Sequence, residues 1–230
     1  VKVDLNAPTS GSQAATLEAW FSSAHELELT LKEQDRAPTF TLSERTQGTL
    51  ELHLGAAILS YQRFHHDNGD SQLLVSLPPS KLGFELTFSG RAVRGLGTID
   101  VWIEGDLTLT KPSSERTLTV PGSARTVITV ASSDRDGRLM SDTSSHGPTR
   151  DSRSKPELFA PGMKIRAAKA GTRFDTIAAS GTSMAAPHVT GAIALCFSKQ
   201  ARLKRELPNA LQIRAALIAT ATGMDGNWRA

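Results

Sequence analysis

The sequence predicts two folded units in series, an all-β antiparallel sandwich of jelly-roll-like type followed by an α/β fragment with a parallel sheet. Three observations predict this. From about Thr16 to Leu109, short segments alternate apolar and polar residues, the period of strands with one wet face. Between Gly105 and Gly122 the alternation fades into "LTKPSSERTLTVPGSA", rich in Pro, Ser and Gly, as at a domain boundary. Beyond it come a β-branched run, "RTVITVAS", and then helical segments, the order expected towards the end of an α/β domain. The sandwich is assigned to residues 12–112 and the α/β part to residues 119–230.

Each element follows from local pattern. "TLEAWF", "ELELTL", "GTLELHL", "SQLLVSL", "FELTF" and "TIDVWIEG" read as strands. In the second, Leu27, Leu29 and Leu31 face one way and Glu26, Glu28 and Thr30 the other. The Asn68-Gly69 pair in "HDNGDS" marks a turn between two strands. The expected sandwich core includes Trp20, Leu29, Leu52, Leu74, Phe84, Phe88 and Trp102. "RTVITVAS" reads as a strand buried on both faces. In "NALQIRAALIATAT", Pro208 and Asn209 are helix-start signals, with Leu211, Ala215, Ile218 and Ala219 on one face.

Composition excludes several functions. Lys and Arg number 26 against 23 Asp and Glu, too small an excess to form a nucleic-acid footprint. The densest basic stretch, Ser198 to Glu206, reads as a solvated helix end. No apolar run approaches the ~18 residues that span a bilayer. A single cysteine, Cys196 in "GAIALCF", permits no intrachain disulfide and reads as a small buried thiol. The start "VKVDLNAPTSGS" has neither an initiating Met nor the apolar core of a signal peptide, so the chain reads as a processed or excised piece.

Chemistry concentrates in "SGTSMAAPHVTG", Ser180 to Gly191. Gly181 permits a sharp approach, and Pro187 is tolerable only near a helix start, so the helix begins close to Ser183. A serine there gains free backbone amides and the positive helix pole, both useful to a developing oxyanion. Neither activates its hydroxyl, and an N-capping serine on a buried Ala-rich helix fits these residues as well.

"GTSMAAPHVTGAIAL" resembles the nucleophile motif of the subtilisin-like serine proteases, the subtilases: Gly-Thr-Ser-Met-Ala-(Ala/Ser/Thr)-Pro-His-Val-(Ala/Ser/Thr)-Gly, unbroken over eleven positions. "SSHGPTRDSRSKPELFAPG" is similar to the family's loop ending in Lys-Pro-(Asp/Glu)-(Ile/Leu)-x-Ala-Pro-Gly, here Lys155 to Gly162. "VPGSARTVITVAS" and "LQIRAALIATAT" resemble the flanking strand and helix, so the likeness runs from about Thr119 onward. It implies the C-terminal part of a subtilisin-like catalytic domain, with Ser183 as the nucleophile of a serine endopeptidase that acts on polypeptide through an acyl-enzyme. It further implies a secreted or cell-envelope location and an Asp, His, Ser order along the chain, with an oxyanion Asn between His and Ser.

The partners of Ser183 do not match by motif. His146-Gly147 runs into Pro148 rather than Thr, and His188 lies within the serine motif as a structural residue. His65 and His66 belong to a polar turn, read as solvated rather than metal-binding, and His25 and His53 fall in alternating segments. Asp142-Thr143-Ser144 and Asp151-Ser152-Arg153 lack the family's Asp-(Thr/Ser)-Gly. None of Asn6, Asn68, Asn209 and Asn227 has the oxyanion context. The chain therefore reads as a subtilase fragment without the Asp, His and Asn segments, inactive alone, whose partner is the missing N-terminal part of the catalytic domain. A sandwich inserted ahead of "RTVITV" resembles the jelly-roll insert of some bacterial subtilases. No cofactor is evident. Calcium binding by the full-length protein stays open, since Asp134, Asp136 and Asp142 form no recognisable ligand loop. The alternative is a pseudoprotease or binding protein whose sandwich holds a protein or glycan.

Overall fold

The computed structural model describes residues 3–6, 14–32, 39–42, 49–54, 57–78, 85–94, 97–105, 108–109 and 112–222. The chain divides into two compact units, Val1–Pro112 and Ser113–Ala230.

Unit 1 contains β1 (Val3–Asn6), β2 (Ala15–Phe21), β3 (Glu26–Lys32), β4 (Thr39–Leu42), β5 (Thr49–Leu54), β6 (Ala57–Gln62), β7 (Ser71–Leu77), β8 (Glu85–Ala92), β9 (Ile99–Glu104) and β10 (Thr108–Leu109). They form two five-stranded sheets, ordered β10-β1-β8-β3-β4 and β5-β6-β7-β2-β9, with every pairing antiparallel. One core serves both: Leu17, Ala19 and Phe21 of β2, Leu27, Leu29 and Leu31 of β3, Leu59 and Tyr61 of β6, Leu73, Val75 and Leu77 of β7, Leu86 and Phe88 of β8. Tyr61 stacks on Phe21, and its hydroxyl pairs with the Ser71 Oγ, so the one polar atom of this ring is satisfied where the core ends.

Strand parity decides which residues enter this core. Leu27, Leu29 and Leu31 are buried and Glu26, Glu28 and Thr30 are not, as their alternation predicts. Three other expectations fail. Leu74 is 41% exposed, because Ser71, Leu73, Val75 and Leu77 are the inward residues of β7. Trp20 is half-buried on the opposite face from Ala19 and Phe21, where its Nε1 donates to Glu18. Trp102 pairs with Glu18 across β9 and β2 and so shares that outer face. Leu29 and Phe88 are in the core as expected; Phe84 and the Leu52 side chain lie outside the described residues.

Unit 2 contains β11 (Val130–Ser133), β12 (Leu158–Pro161), β13 (Ile165–Ala168), β14 (Thr176–Ala179), α1 (Thr182–Arg202) and α2 (Ala210–Thr220). β11 and β12 run parallel, in register from Val130–Leu158 to Ser133–Pro161, and β13 and β14 form an antiparallel hairpin. α1 packs on β11 and β12. α2 starts with a full capping box: the Asn209 side chain accepts from the Gln212 amide, and the Gln212 side chain accepts from the Asn209 amide.

Burial in unit 2 is sparse where the sequence predicts it to be dense. Ala185 is the buried residue of α1 and Ile213 that of α2, while Leu195, Leu211 and Ile218 are exposed. Cys196 is exposed too, not the buried thiol expected. β11 covers only the last part of "RTVITVAS". The basic residues Lys199, Arg202, Lys204 and Arg205, in the last turn of α1 and just beyond it, are solvent-exposed, as predicted.

Parity yields a direct test. Phe88→Ala, which empties a fully buried position, should destabilise unit 1 by about 3–5 kcal/mol. Leu74→Ala should change stability by no more than about 0.5 kcal/mol. Urea unfolding followed by tryptophan fluorescence distinguishes the two; equal effects would refute the assigned faces.

Candidate active site

Ser183 is the second residue of α1 and is exposed. The residue before the helix, Gly181, has φ 148° and ψ 169°, a backbone state that side chains disfavour. Its carbonyl accepts from Met184 N at 3.0 Å and Ala185 N at 3.3 Å, starting the helical ladder. No side chain caps this end. The amides of Thr182 and Ser183 therefore have no carbonyl four residues back within the helix, and they lie at its positive pole. Pro187 sits in the second turn, where its missing N–H leaves the Ser183 carbonyl without the usual helical donor.

The position of this turn is set from below. Gly181 N donates to Gly162 O at 2.8 Å, and Gly162 N donates to Ser133 O at 2.9 Å. The end of β11, the end of β12 and the start of α1 are thus joined by two consecutive backbone bonds. Gly162 has no room for a side chain, since a Cβ would meet Ser132 Oγ and would lie 2.6 Å from Gly181 O. Between Gly162 and Gly181 the chain runs out and back through the β13–β14 hairpin, whose base is also held by Lys164 N donating to Ser180 Oγ at 2.8 Å.

β12 is itself anchored by a buried charge cluster. Lys155 Nζ donates to Val127 O and Thr129 Oγ1, both at 2.9 Å, and lies 3.0 Å from Glu157 Oε1. Glu157 also accepts from Thr129 N at 2.8 Å and from Arg214 of α2 at 2.8 Å. The Lys155 and Glu157 side chains are 1% and 3% exposed. Burial pushes the Glu157 carboxyl up, but the Thr129 amide and the Lys155 ammonium outweigh it and hold the carboxyl below its ordinary value. This cluster explains the shortened β11: Val127 O and Thr129 N bond to side chains instead of a neighbouring strand, while Thr129 O receives Glu157 N and Leu158 N.

The remaining candidates are engaged elsewhere. His188 is exposed, and its Nδ1 hydrogen bonds to Met184 O at 2.9 Å, turning the ring onto its own helix. His146 is held through its backbone, with its N–H on Thr117 Oγ1 and its carbonyl on Thr117 N. Asp151 accepts from Arg153 and from Thr149 Oγ1, and Arg153 foremost drives its carboxyl well below the usual range. Asp134 caps a turn by accepting from Arg138 N and Leu139 N. Sequence reasoning missed Gly162, Thr129 and Arg214, which support the site without carrying a catalytic side-chain type.

Beside Thr182 lies a cleft of about 180 Å³, whose walls include Thr119, Val120, Gly122, Ala131 and Ser144. A parallel β-pair that seats a Gly-Thr-Ser helix start defines a subtilisin-like class of domain. The family model described as the subtilase family matches residues 89–229, and the chain belongs to that family. The CspB protease of Clostridium perfringens has a similar fold, with a TM-score of 0.82 at 23% identity over 100% of this chain and 50% of its own. The chain thus spans half the length of that protease. The prenylagaramide maturation protease PagA aligns at 31% identity over 49% of this chain and 38% of its own, with a TM-score of 0.41.

The charge cluster generates a pH prediction. A carboxyl whose folded pKa lies below its unfolded value of about 4.3 stabilises the fold above that value, and this contribution is lost as pH falls through the folded pKa. Hydrogen exchange over residues 127–133, taken relative to the intrinsic rate at each pH, should therefore quicken below about pH 4 in the parent. Glu157→Gln, which leaves Lys155 and Arg214 without their anion, should quicken it already at pH 7, with a cost of about 3–5 kcal/mol. Unchanged protection in the variant at pH 7 would contradict this role.

Proposed function

We propose that the chain is the serine-bearing part of a subtilisin-like serine endopeptidase, with Ser183 as nucleophile. The observation that carries this reading is the exposure of Ser183 at a helix start that no side chain caps, where the first amides have no carbonyl partner within the helix. Ser183 Oγ attacks the scissile carbonyl, its proton passes to a base, and the carbonyl oxygen becomes an oxyanion. The Ser183 amide, at the positive pole of α1, is one donor to it. Collapse of the intermediate expels the amine and leaves the acyl-enzyme, which water then hydrolyses.

The base, its orienting carboxylate and the side-chain oxyanion donor belong to the part of the family's catalytic domain that precedes these elements. His188 is not assigned as the base: no hydrogen bond joins it to Ser183 among the described residues, and its ring bonds through Nδ1 to Met184 O of its own helix. The exposed apolar residues Leu195, Leu211 and Ile218 are the contact points for that same part. The cleft beside Thr182, walled by Val120, Gly122 and Ala131, seats a substrate side chain next to the nucleophile. Unit 1 is a jelly-roll-like insert: β1 and β3 flank β8 in one sheet while β2 lies beside β7 in the other, so the chain wraps back and forth between sheets.

In the full-length protein, Ser183→Ala should lower peptide turnover by about 10⁶ without loss of fold, because it removes one exposed oxygen and no packing volume. Steady-state hydrolysis of a peptide substrate and far-UV circular dichroism together check it. Activity within about tenfold of the parent would reduce Ser183 to a helix-start residue.

A further inference from the structure

We propose that the β6–β7 loop of unit 1 is a binding site for a divalent late-transition-metal ion, Zn²⁺ or one of similar chemistry, held by His65, His66 and Asp67. One ligand atom from each of these residues lies within 4.8 Å of the other two. Asp67 reaches the two rings through different oxygens: Oδ1 is 3.1 Å from His66 Nε2 and Oδ2 is 3.7 Å from His65 Nδ1. A tetrahedral ion with ligand bonds of about 2.0–2.1 Å holds its ligands about 3.3 Å apart, so the three ligand atoms, now within 4.8 Å of one another, draw together by side-chain rotation to reach that spacing. Two imidazoles and one carboxylate suit Zn²⁺, Ni²⁺ or Cu²⁺ better than Ca²⁺ or Mg²⁺, which prefer all-oxygen shells.

The loop backbone that carries the three side chains is held by its own hydrogen bonds. His65 N donates to Asp70 O at 2.7 Å, Gly69 N donates to His65 O at 2.8 Å, and Asp70 N donates to Asn68 Oδ1 at 2.9 Å. Ser23 Oγ holds Gly69 O at 2.8 Å, and the Arg63 guanidinium donates to Ser23 O at 2.6 Å, so the loop is tied to the end of β2. The His65 side chain is 12% exposed, in edge contact with Trp20 at 4.9 Å and stacked with His66 at 4.3 Å. Asp67 N donates to His65 Nδ1 at 3.3 Å, which leaves the proton on Nε2 and turns the Nδ1 lone pair towards the cluster. An ion would take that lone pair in place of a long hydrogen bond. His66 and Asp67 are open to solvent, so water completes the coordination shell and the ion has direct entry.

The test is a calorimetric titration of the tag-free chain with Zn²⁺, and separately with Ca²⁺ and Mg²⁺. One equivalent of Zn²⁺ should bind, with no comparable uptake of the harder ions. His66→Ala and Asp67→Ala should each weaken binding about tenfold or more. Both positions are exposed, so the variants should keep the parent's far-UV spectrum. Absence of Zn²⁺ uptake, uptake that persists in the His66→Ala/Asp67→Ala double variant, or equal affinity for Ca²⁺ would each overturn the proposal.

Discussion

The hydrogen bond from Gly181 N to Gly162 O fixes where Ser183 sits. On one side of it lies the parallel pair β11–β12, whose register ends at Ser133 and Pro161. On the other lies the first turn of α1. The bond is possible because neither residue carries a side chain: at Gly162 a Cβ would press on Gly181 O, and at Gly181 the backbone adopts a positive φ. Backbone-to-backbone coupling is suited to this task, since it positions the next residues without interposing a flexible side chain.

The buried Lys155–Glu157 pair extends the same constraint to the rest of unit 2. Two charges taken out of water are costly unless their donors and acceptors find partners; Val127, Thr129 and Arg214 supply them for Lys155 and Glu157, while Arg214 Nε is itself buried without one. The cluster fastens the segment before β11, the start of β12 and α2 to one another. Its carboxylate also does what a strand would do for Thr129 N, so the sheet stops at Val130. Local polar satisfaction has replaced ladder pairing over three residues.

The sequence made some of this legible and concealed the rest. Leu27, Leu29 and Leu31 stand in an unbroken alternation, and their burial follows. "SQLLVSL" has apolar residues at both parities; Val75 and Leu77, buried with Leu73, are what assign Leu74 to the outside. Trp20 and Trp102 show that size does not outrank parity, for both lie opposite or beside Glu18 on the outer face. The helix start at Ser183 was readable from Gly181 and Pro187, and the start of α2 from Asn209. An apolar run places Cys196 among buried residues and yet it is exposed, because such a pattern reports what a face can pack against and not that a neighbour covers it. Gly162 and Arg214 were hidden because their roles are a missing Cβ and a long-range ion pair, neither of which has a local sequence period.

A serine alcohol needs a base before it is reactive, and the pole of α1 contributes only about 0.3–2 kcal/mol against the roughly 8 kcal/mol behind a rate gain of 10⁶. Labelling with a fluorophosphonate, read out by mass spectrometry at Ser183, tests whether that serine is activated from outside these elements. Ser183 should be labelled stoichiometrically in the full-length protein, and in the isolated 230-residue chain no faster than a surface serine. Rapid stoichiometric labelling of Ser183 in the isolated chain, or none in the full-length protein, would contradict its assignment as a nucleophile activated from outside these elements.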